Sequence, residues 1–231
     1  MELVTLCLTI GKRPDLLKRT LDSLLCTVEF KQIVAINDFR DEATNEMFKR
    51  LCPNGQLMSL DHQLGHHQAV DHMYRSIATP YVFHCEDDWL FDPSFDLKSA
   101  IQLLDANANI SQVCFRKVAD FHLPEDACSL VLACEENGHH YARLDSLHPQ
   151  WHGYTFNPHL AKLDLWKQLG GFSQFKKERH ISRHLRSKGG FTAYINPGSC
   201  EHIGELQSVS PSALNPTGLK LWRKKLKQFF L

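Results

Sequence analysis

Long apolar runs alternate with helical repeats through the first half of the chain. Leu3 to Ile10 is apolar almost without interruption, the pattern of a strand buried on both faces of a parallel sheet. Gly11-Lys12-Arg13-Pro14 makes a turn. Behind it Leu16, Leu17, Leu21, Leu24 and Leu25 recur at helical spacing, with Asp15 in the first turn. Gln32 to Ile36 predicts a second strand, Asp41 to Leu51 a helix closed by Cys52-Pro53-Asn54-Gly55, and Gln56 to Leu60 a short third strand. Ala69, Val70, Met73 and Ile77 predict a helix over 65–77 that leads into a strand beginning at Tyr81. Such alternation implies parallel strands joined by right-handed crossovers, a nucleotide-binding layout. Ser94 to Asn107 and Gln112 to Lys117 add one more helix and strand.

Beyond Ala119 the pattern loosens. Val131 to Ala133 reads as a strand, and His139-His140 and Pro149-Gln150 read as turns. Tyr154-Thr155-Phe156 reads as a strand, and Leu160 to Leu169 as a helix closed by Gly170-Gly171. Glu178 to Ser187 reads as a helix stopped by Gly189-Gly190, and Phe191 to Ile195 as the last strand.

Composition narrows the class. The 231 residues suit one α/β domain with a full core, and 43% hydrophobic and 23% charged residues are ordinary for a globular protein. Twenty-six basic residues balance 26 acidic ones, so no global field favours nucleic acid. Eight cysteines are scattered without a Cys-x-x-Cys pair. With an opening that reads as a strand rather than a leader, they point to buried thiols in a reducing, cytoplasmic compartment. No apolar stretch approaches the length of a transmembrane helix.

The chemistry concentrates where the Tyr81 strand ends in Glu86-Asp87-Asp88. Three adjacent carboxylates repel one another unless a divalent cation, an Arg or Lys, or water relieves them. Ligands of open α/β sheets bind at the C-terminal ends of strands, where this cluster falls. His62, His66, His67 and His72 include helical pairs, but they lack the acid of a zinc-protease motif.

Four segments, in order, resemble the GT-A nucleotide-sugar-dependent glycosyltransferases, above all the inverting, family 2-like bacterial enzymes, over residues 3 to 204. They are the opening strand and turn over 4–25, Asn37-Asp38 followed by Asp41, the acidic Glu86-Asp87-Asp88, and His202-Ile203-Gly204. The resemblance implies a Rossmann-like α/β fold, a mostly parallel sheet flanked by helices. It also implies one catalytic domain over 1–217, with a nucleotide-sugar half over 1–117 and an acceptor half over 118–217. Thr9 and Arg13 then meet the nucleotide and its diphosphate, Asp38 the base, Gly65 the nucleotide sugar, and Glu86 and Asp87 the nucleotide or its surroundings. Asp88 and His202, with Glu86 as a further candidate, would bind Mn²⁺ or Mg²⁺. Glu178 falls on the family's catalytic acid, and Trp151, His152 and Tyr154 on its acceptor-facing segment. The sequence departs from the family where Phe39-Arg40 replaces the usual Gly-Ser and where Lys177-Glu178 keeps only one acid of the usual pair.

Read this way, the chain transfers a sugar from a UDP- or GDP-linked donor to a glycan or glycolipid acceptor, in surface polysaccharide or lipopolysaccharide synthesis. A nucleotidyltransferase and a binding protein without turnover are the competing readings. Over 218–231, Leu219, Trp222, Leu226, Phe229 and Phe230 share one helical face, and Lys220, Lys224, Lys225 and Lys227 take the other. A basic amphipathic helix of this kind suits the inner face of the cytoplasmic membrane, or else packs on protein.

Overall fold

The computed structural model describes residues 3–204; the expected amphipathic helix over 218–231 lies outside the described residues. The first half runs β1 (Val4–Ile10), α1 (Pro14–Leu25), β2 (Gln32–Asn37), α2 (Glu42–Leu51), β3 (Gln56–Ser59), α3 (His66–Tyr74), β4 (Tyr81–Glu86), β5 (Trp89–Phe91), α4 (Leu97–Ala106) and β6 (Ile110–Cys114). After a 3-10 turn at Val118–Phe121 come α5 (Glu125–Cys128), β7 (Leu132–Glu136), β8 (His139–Arg143), β9 (His159–Lys162), α6 (Leu163–Leu169), α7 (Glu178–Arg186), β10 (Phe191–Ile195) and β11 (Cys200–His202).

Nine strands form one sheet in the order β3-β2-β1-β4-β9-β6-β10-β8-β7. The pairings make β3, β2, β1, β4, β6, β10 and β7 point one way, while β9 and β8 run opposite. Side chains alternate across the sheet. From β1 and β4, Leu6, Leu8 and Phe83 pack with Leu17, Leu21 and Leu24 of α1, Phe48 of α2 and Leu103 of α4 on one face. Cys7 and Val82 pack with Val70 and Met73 of α3, Leu163 of α6 and Ile181 of α7 on the other.

Two hydroxyls on α1, one buried and one half-buried, explain a break in its leucine stripe. Thr20 Oγ1 accepts the Trp89 amide at 3.0 Å and Ser23 Oγ the Phe91 amide at 3.1 Å, which docks β5 on the helix. β5 in turn pairs antiparallel with β11, setting His202 opposite Trp89.

The structure corrects three sequence readings. Tyr154-Thr155-Phe156 is not a strand: Tyr154 and Phe156 are buried between α3 and the loop before α7, and the strand is β9, three residues later. Helix α6 accordingly begins at Leu163, because Leu160 and Ala161 pair with Phe83 and Val82. His139 and His140 open β8, and the turn is Asn137-Gly138, both at positive φ. The two three-residue strands β5 and β11 are too short for any periodicity to show. All eight cysteines are free, and five of them are buried.

Phe83 has no exposed surface and its ring meets those of Phe30, Phe91, Phe95 and Phe115. Phe83→Ala should lower unfolding free energy by about 3–5 kcal/mol. Urea denaturation followed by circular dichroism should show a lower midpoint with an unchanged slope.

Candidate active site

The C-terminal ends of β1, β2 and β4 open into a cleft of about 470 Å³. Thr9, Arg13, Asp38, Gly65, Glu86, Asp87, Asp88, Glu178 and His202 all line it. The sheet thus brings residues from widely separated segments of the chain to one place.

The acidic cluster is held by a cation from the chain itself. Arg13, at the start of α1, bridges Asp87 and Asp88 through its two terminal nitrogens. Asp87 also accepts the Gly11 amide at 2.9 Å, and Asp88 Oδ2 lies 3.0 Å from His202 Nε2. Burial pushes the Glu86 carboxyl up to about 8, reinforced by the charges of Asp88, Asp87 and Glu178 and opposed by Arg13. Burial also raises Asp87, to about 7, but two of its contacts, the Arg13 guanidinium and the Gly11 amide, bind the charged form, so we take it as ionised while Arg13 is docked. Asp88 is likewise penalised by burial, yet the His202 hydrogen bond and the Arg13 charge hold it below the usual carboxylate range. Arg13 is raised despite its own burial, by the charges of Asp87 and Asp88.

A divalent cation fits this corner. Asp88 Oδ1 is buried with no hydrogen-bond partner, beside a histidine nitrogen already turned toward the same carboxylate. Among the described residues no group of three or more His, Cys, Asp or Glu is arranged to hold a metal alone. A cation on Asp88 and His202 would thus take its remaining ligands from phosphate oxygens and water, as Mg²⁺-type sites do. Gly204 makes this geometry possible. A Cβ there would lie 2.2 Å from Asp88 Oδ2, and the Ile203 amide donates to the Asp88 carbonyl at 2.9 Å.

On the β2 side, Asp38 accepts the Leu64 and Gly65 amides at 2.6 and 2.8 Å, one on each oxygen. It ties the glycine loop before α3 to the sheet while facing the cleft. Gly65 sits at φ +86, and a Cβ added there would meet nothing within 4 Å. Its backbone angle therefore favours glycine, and the space beside it stays open. The departure Phe39-Arg40 has a consequence here. The Phe39 ring fills the position of a Gly11 Cβ, and Lys12 Nζ lies 4.9 Å from its centre.

Glu178 opens α7 and lines the cleft together with a second pocket of about 230 Å³. Burial pushes its carboxyl up to about 7, against hydrogen bonds from the Phe156 amide and the Thr155 hydroxyl. Trp151, His152 and Tyr154 line the second pocket. His152 Nδ1 lies 3.0 Å from the Tyr194 hydroxyl, and burial lowers its pKa to about 4. Tyr154 is 1% exposed and its hydroxyl meets His159, so it is wall and core at once. Gly153 packs directly on α7: its amide donates to Ser182 Oγ at 2.7 Å, and a Cβ would overlap the Ser182 carbonyl. Among the described residues, His62, His66, His67 and His72 form no metal site. His66 packs edge-on against Phe156 and His67 Nδ1 meets the Phe175 carbonyl at 2.7 Å.

Sequence reasoning missed Asn157, which lines both cavities, and Asp71. Asp71 is 2% exposed and accepts Trp166 Nε1 and the Phe172 and Ser173 amides at 2.7–2.8 Å, fixing the loop that leads to Glu178. Gly171, at φ +94, passes so close that a Cβ would lie 2.8 Å from Asp71 Oδ2. A lone Asp inside a helix gives no local signal of such a long-range role.

No family model matches the sequence, and no curated protein matches it. Solved structures do. The mannosyltransferase PcManGT from Pyrobaculum calidifontis, in complex with GDP-Man and Mn²⁺, matches with a TM-score of 0.58 at 16% identity, over 83% of this chain and 56% of that one. TarS 1–349 from S. aureus matches with a TM-score of 0.58 at 13% identity, over 85% of this chain and 59% of that one. This chain spans little more than half the length of either. The likeness establishes the fold, a Rossmann-like GT-A arrangement of a mostly parallel sheet between helices.

An acid whose folded pKa exceeds its unfolded value binds more protons when folded, so its contribution to stability falls as pH rises. For Glu178 the window runs from the ordinary glutamate value of 4.5 up to about 7. The stability of Glu178→Gln relative to the native chain should therefore rise by about 2 kcal/mol between pH 5 and pH 8. Urea melts at the two pH values check this; a constant difference contradicts it.

Proposed function

We propose that this protein is a glycosyltransferase that moves a sugar from a nucleotide-sugar donor to a hydroxyl of a glycan or glycolipid, with Mn²⁺ or Mg²⁺. One observation carries the reading: Glu178 stands at the junction of the acidic cleft and the aromatic pocket. A carboxyl with a pKa near neutrality is suited to take a proton from a group held in one cavity while bonds change in the other. The mannosyltransferase of like fold, bound to GDP-Man and Mn²⁺, supports donor and metal class.

In this mechanism the nucleotide diphosphate lies along Thr9, Arg13 and Glu86, with Asp38 and Gly65 bordering the base and sugar. A divalent cation on Asp88 and His202 would neutralise the diphosphate as it leaves. Arg13 adds its own positive charge at the same corner. Trp151 offers apolar ring surface to the acceptor sugar and His152 a neutral hydrogen-bonding edge, while Tyr154, 1% exposed, backs the pocket wall. Glu178 accepts the proton of the attacking hydroxyl as its oxygen bonds to the anomeric carbon and the diphosphate departs. Direct attack of this kind would invert the anomeric centre.

The nucleotidyltransferase alternative needs free backbone amides in the turn after β1 to cradle a triphosphate. Here the Gly11 and Lys12 amides already donate to Asp87 and Asp41. Against a binding protein without turnover stands the position of Glu178, which lines both cavities.

A thermal-shift screen of UDP- and GDP-sugars should show one nucleotide stabilising the chain, and only with Mn²⁺ or Mg²⁺. With that donor and an accepted glycan, Glu178→Gln should lower kcat by about 10²–10⁴-fold and leave nucleotide affinity unchanged. Near-native turnover of that variant would exclude Glu178 as the base. For the native enzyme, kcat should rise with pH through about 7, as Glu178 loses its proton.

A further inference from the structure

The aromatic pocket holds a cation, Arg116, that makes no ion pair with a described carboxylate. Arg116 follows β6, and its guanidinium lies 4.3 Å from the centre of the Phe121 ring and 5.7 Å from that of Trp89. It donates to Asn157 Oδ1 and to the Asp120 backbone carbonyl, both at 3.1 Å and both neutral acceptors. Its Nε is buried with no hydrogen-bond partner. Among the described residues Arg13 and Arg143 each meet a carboxylate, while Arg116 forms no ion pair. Asp120 reaches the guanidinium through its backbone carbonyl, its carboxylate makes no ion pair within 4.0 Å, and its own Oδ2 is buried with no hydrogen-bond partner.

Of the side chains lining this pocket, Arg116 is the one that carries positive charge at neutral pH, since His152 is neutral there. Glu178 is its one acid, and it lies beyond ion-pair range of Arg116. A partly desolvated guanidinium given only neutral partners is costly, and a carboxylate or phosphate in its fork is the strong remedy. Around Glu178 the chain exposes Lys176, Lys177 and Arg183.

We infer that the pocket takes an acceptor residue bearing an anionic group, a carboxylate or a phosphate, and that Arg116 is the residue that selects it. The word acceptor rests on the glycosyltransferase reading; the anion site itself does not.

The test uses the full chain and three probes: methyl glucuronide, glucose-6-phosphate and neutral methyl glucoside. Their binding is followed by ligand-observed NMR, with and without nucleotide and Mn²⁺. At least one charged probe should bind about tenfold more tightly than the neutral one, the scale of a single charge-assisted contact. Which of the two gains identifies carboxylate or phosphate. Arg116→Gln should erase the preference, Arg116→Lys should keep part of it, and both should retain native nucleotide affinity. Equal binding of all three probes overturns the inference, as does a preference that survives Arg116→Gln. A matching loss of nucleotide affinity in Arg116→Gln also overturns it, because the guanidinium then serves the donor. If the native chain binds no nucleotide at all, the transferase reading fails, and the probe comparison alone still decides the anion site.

Discussion

The clasp of Arg13 on Asp87 and Asp88 is the interaction on which the rest of the site depends. Two adjacent carboxylates at the end of a buried strand are held against mutual repulsion by one guanidinium, one backbone amide and one histidine. The partners come from distant parts of the chain: Arg13 and Gly11 from the turn after β1, His202 from β11. The clasp therefore fixes charge and also fixes where three chain segments meet. It makes Arg13 the structural counter-ion of the acids and, on the proposed function, a positive charge for an incoming diphosphate.

Close approach, as much as charge, shapes the site. Gly204 lets the chain beyond β11 pass against Asp88, Gly171 lets the loop before α7 pass against Asp71, and Gly153 lets the aromatic pocket rest on α7. The last two contacts position Glu178 from either side without touching its carboxyl. Its partly buried placement at the junction raises its pKa toward neutrality, and at the same time makes the folded chain less stable as that proton is lost. Function and stability pull in opposite directions at this one residue.

Much of the frame was legible in the chain. The leucine stripe of α1, the apolar runs of β1 and β4 and the acids that end β4 carry period and chemistry together, and each stands where its pattern implies. The residues singled out around the cleft do line it, because strand ends of a parallel sheet converge by topology. What escaped was what has no local period. β5 and β11 are three residues each and exist because Thr20, Ser23 and each other complete their hydrogen bonds. Tyr154-Thr155-Phe156 has strand composition, but His159 to Lys162 takes the place between β4 and β6. Asp71, Asn157 and Arg116 act across long sequence separations that a single sequence does not reveal. Nor did it reveal that Asp38 already holds two amides of the glycine loop.

On the proposed function, the protein offers a divalent cation Asp88 and His202 and leaves the rest of the shell to a nucleotide diphosphate. Titration of Mn²⁺ into the full chain, followed by electron paramagnetic resonance with and without UDP or GDP, tests it most directly. Binding should be weak alone and become at least about tenfold tighter with one of the two nucleotides, and Asp88→Asn should lose that gain. Equally tight Mn²⁺ binding with and without either nucleotide would contradict the account.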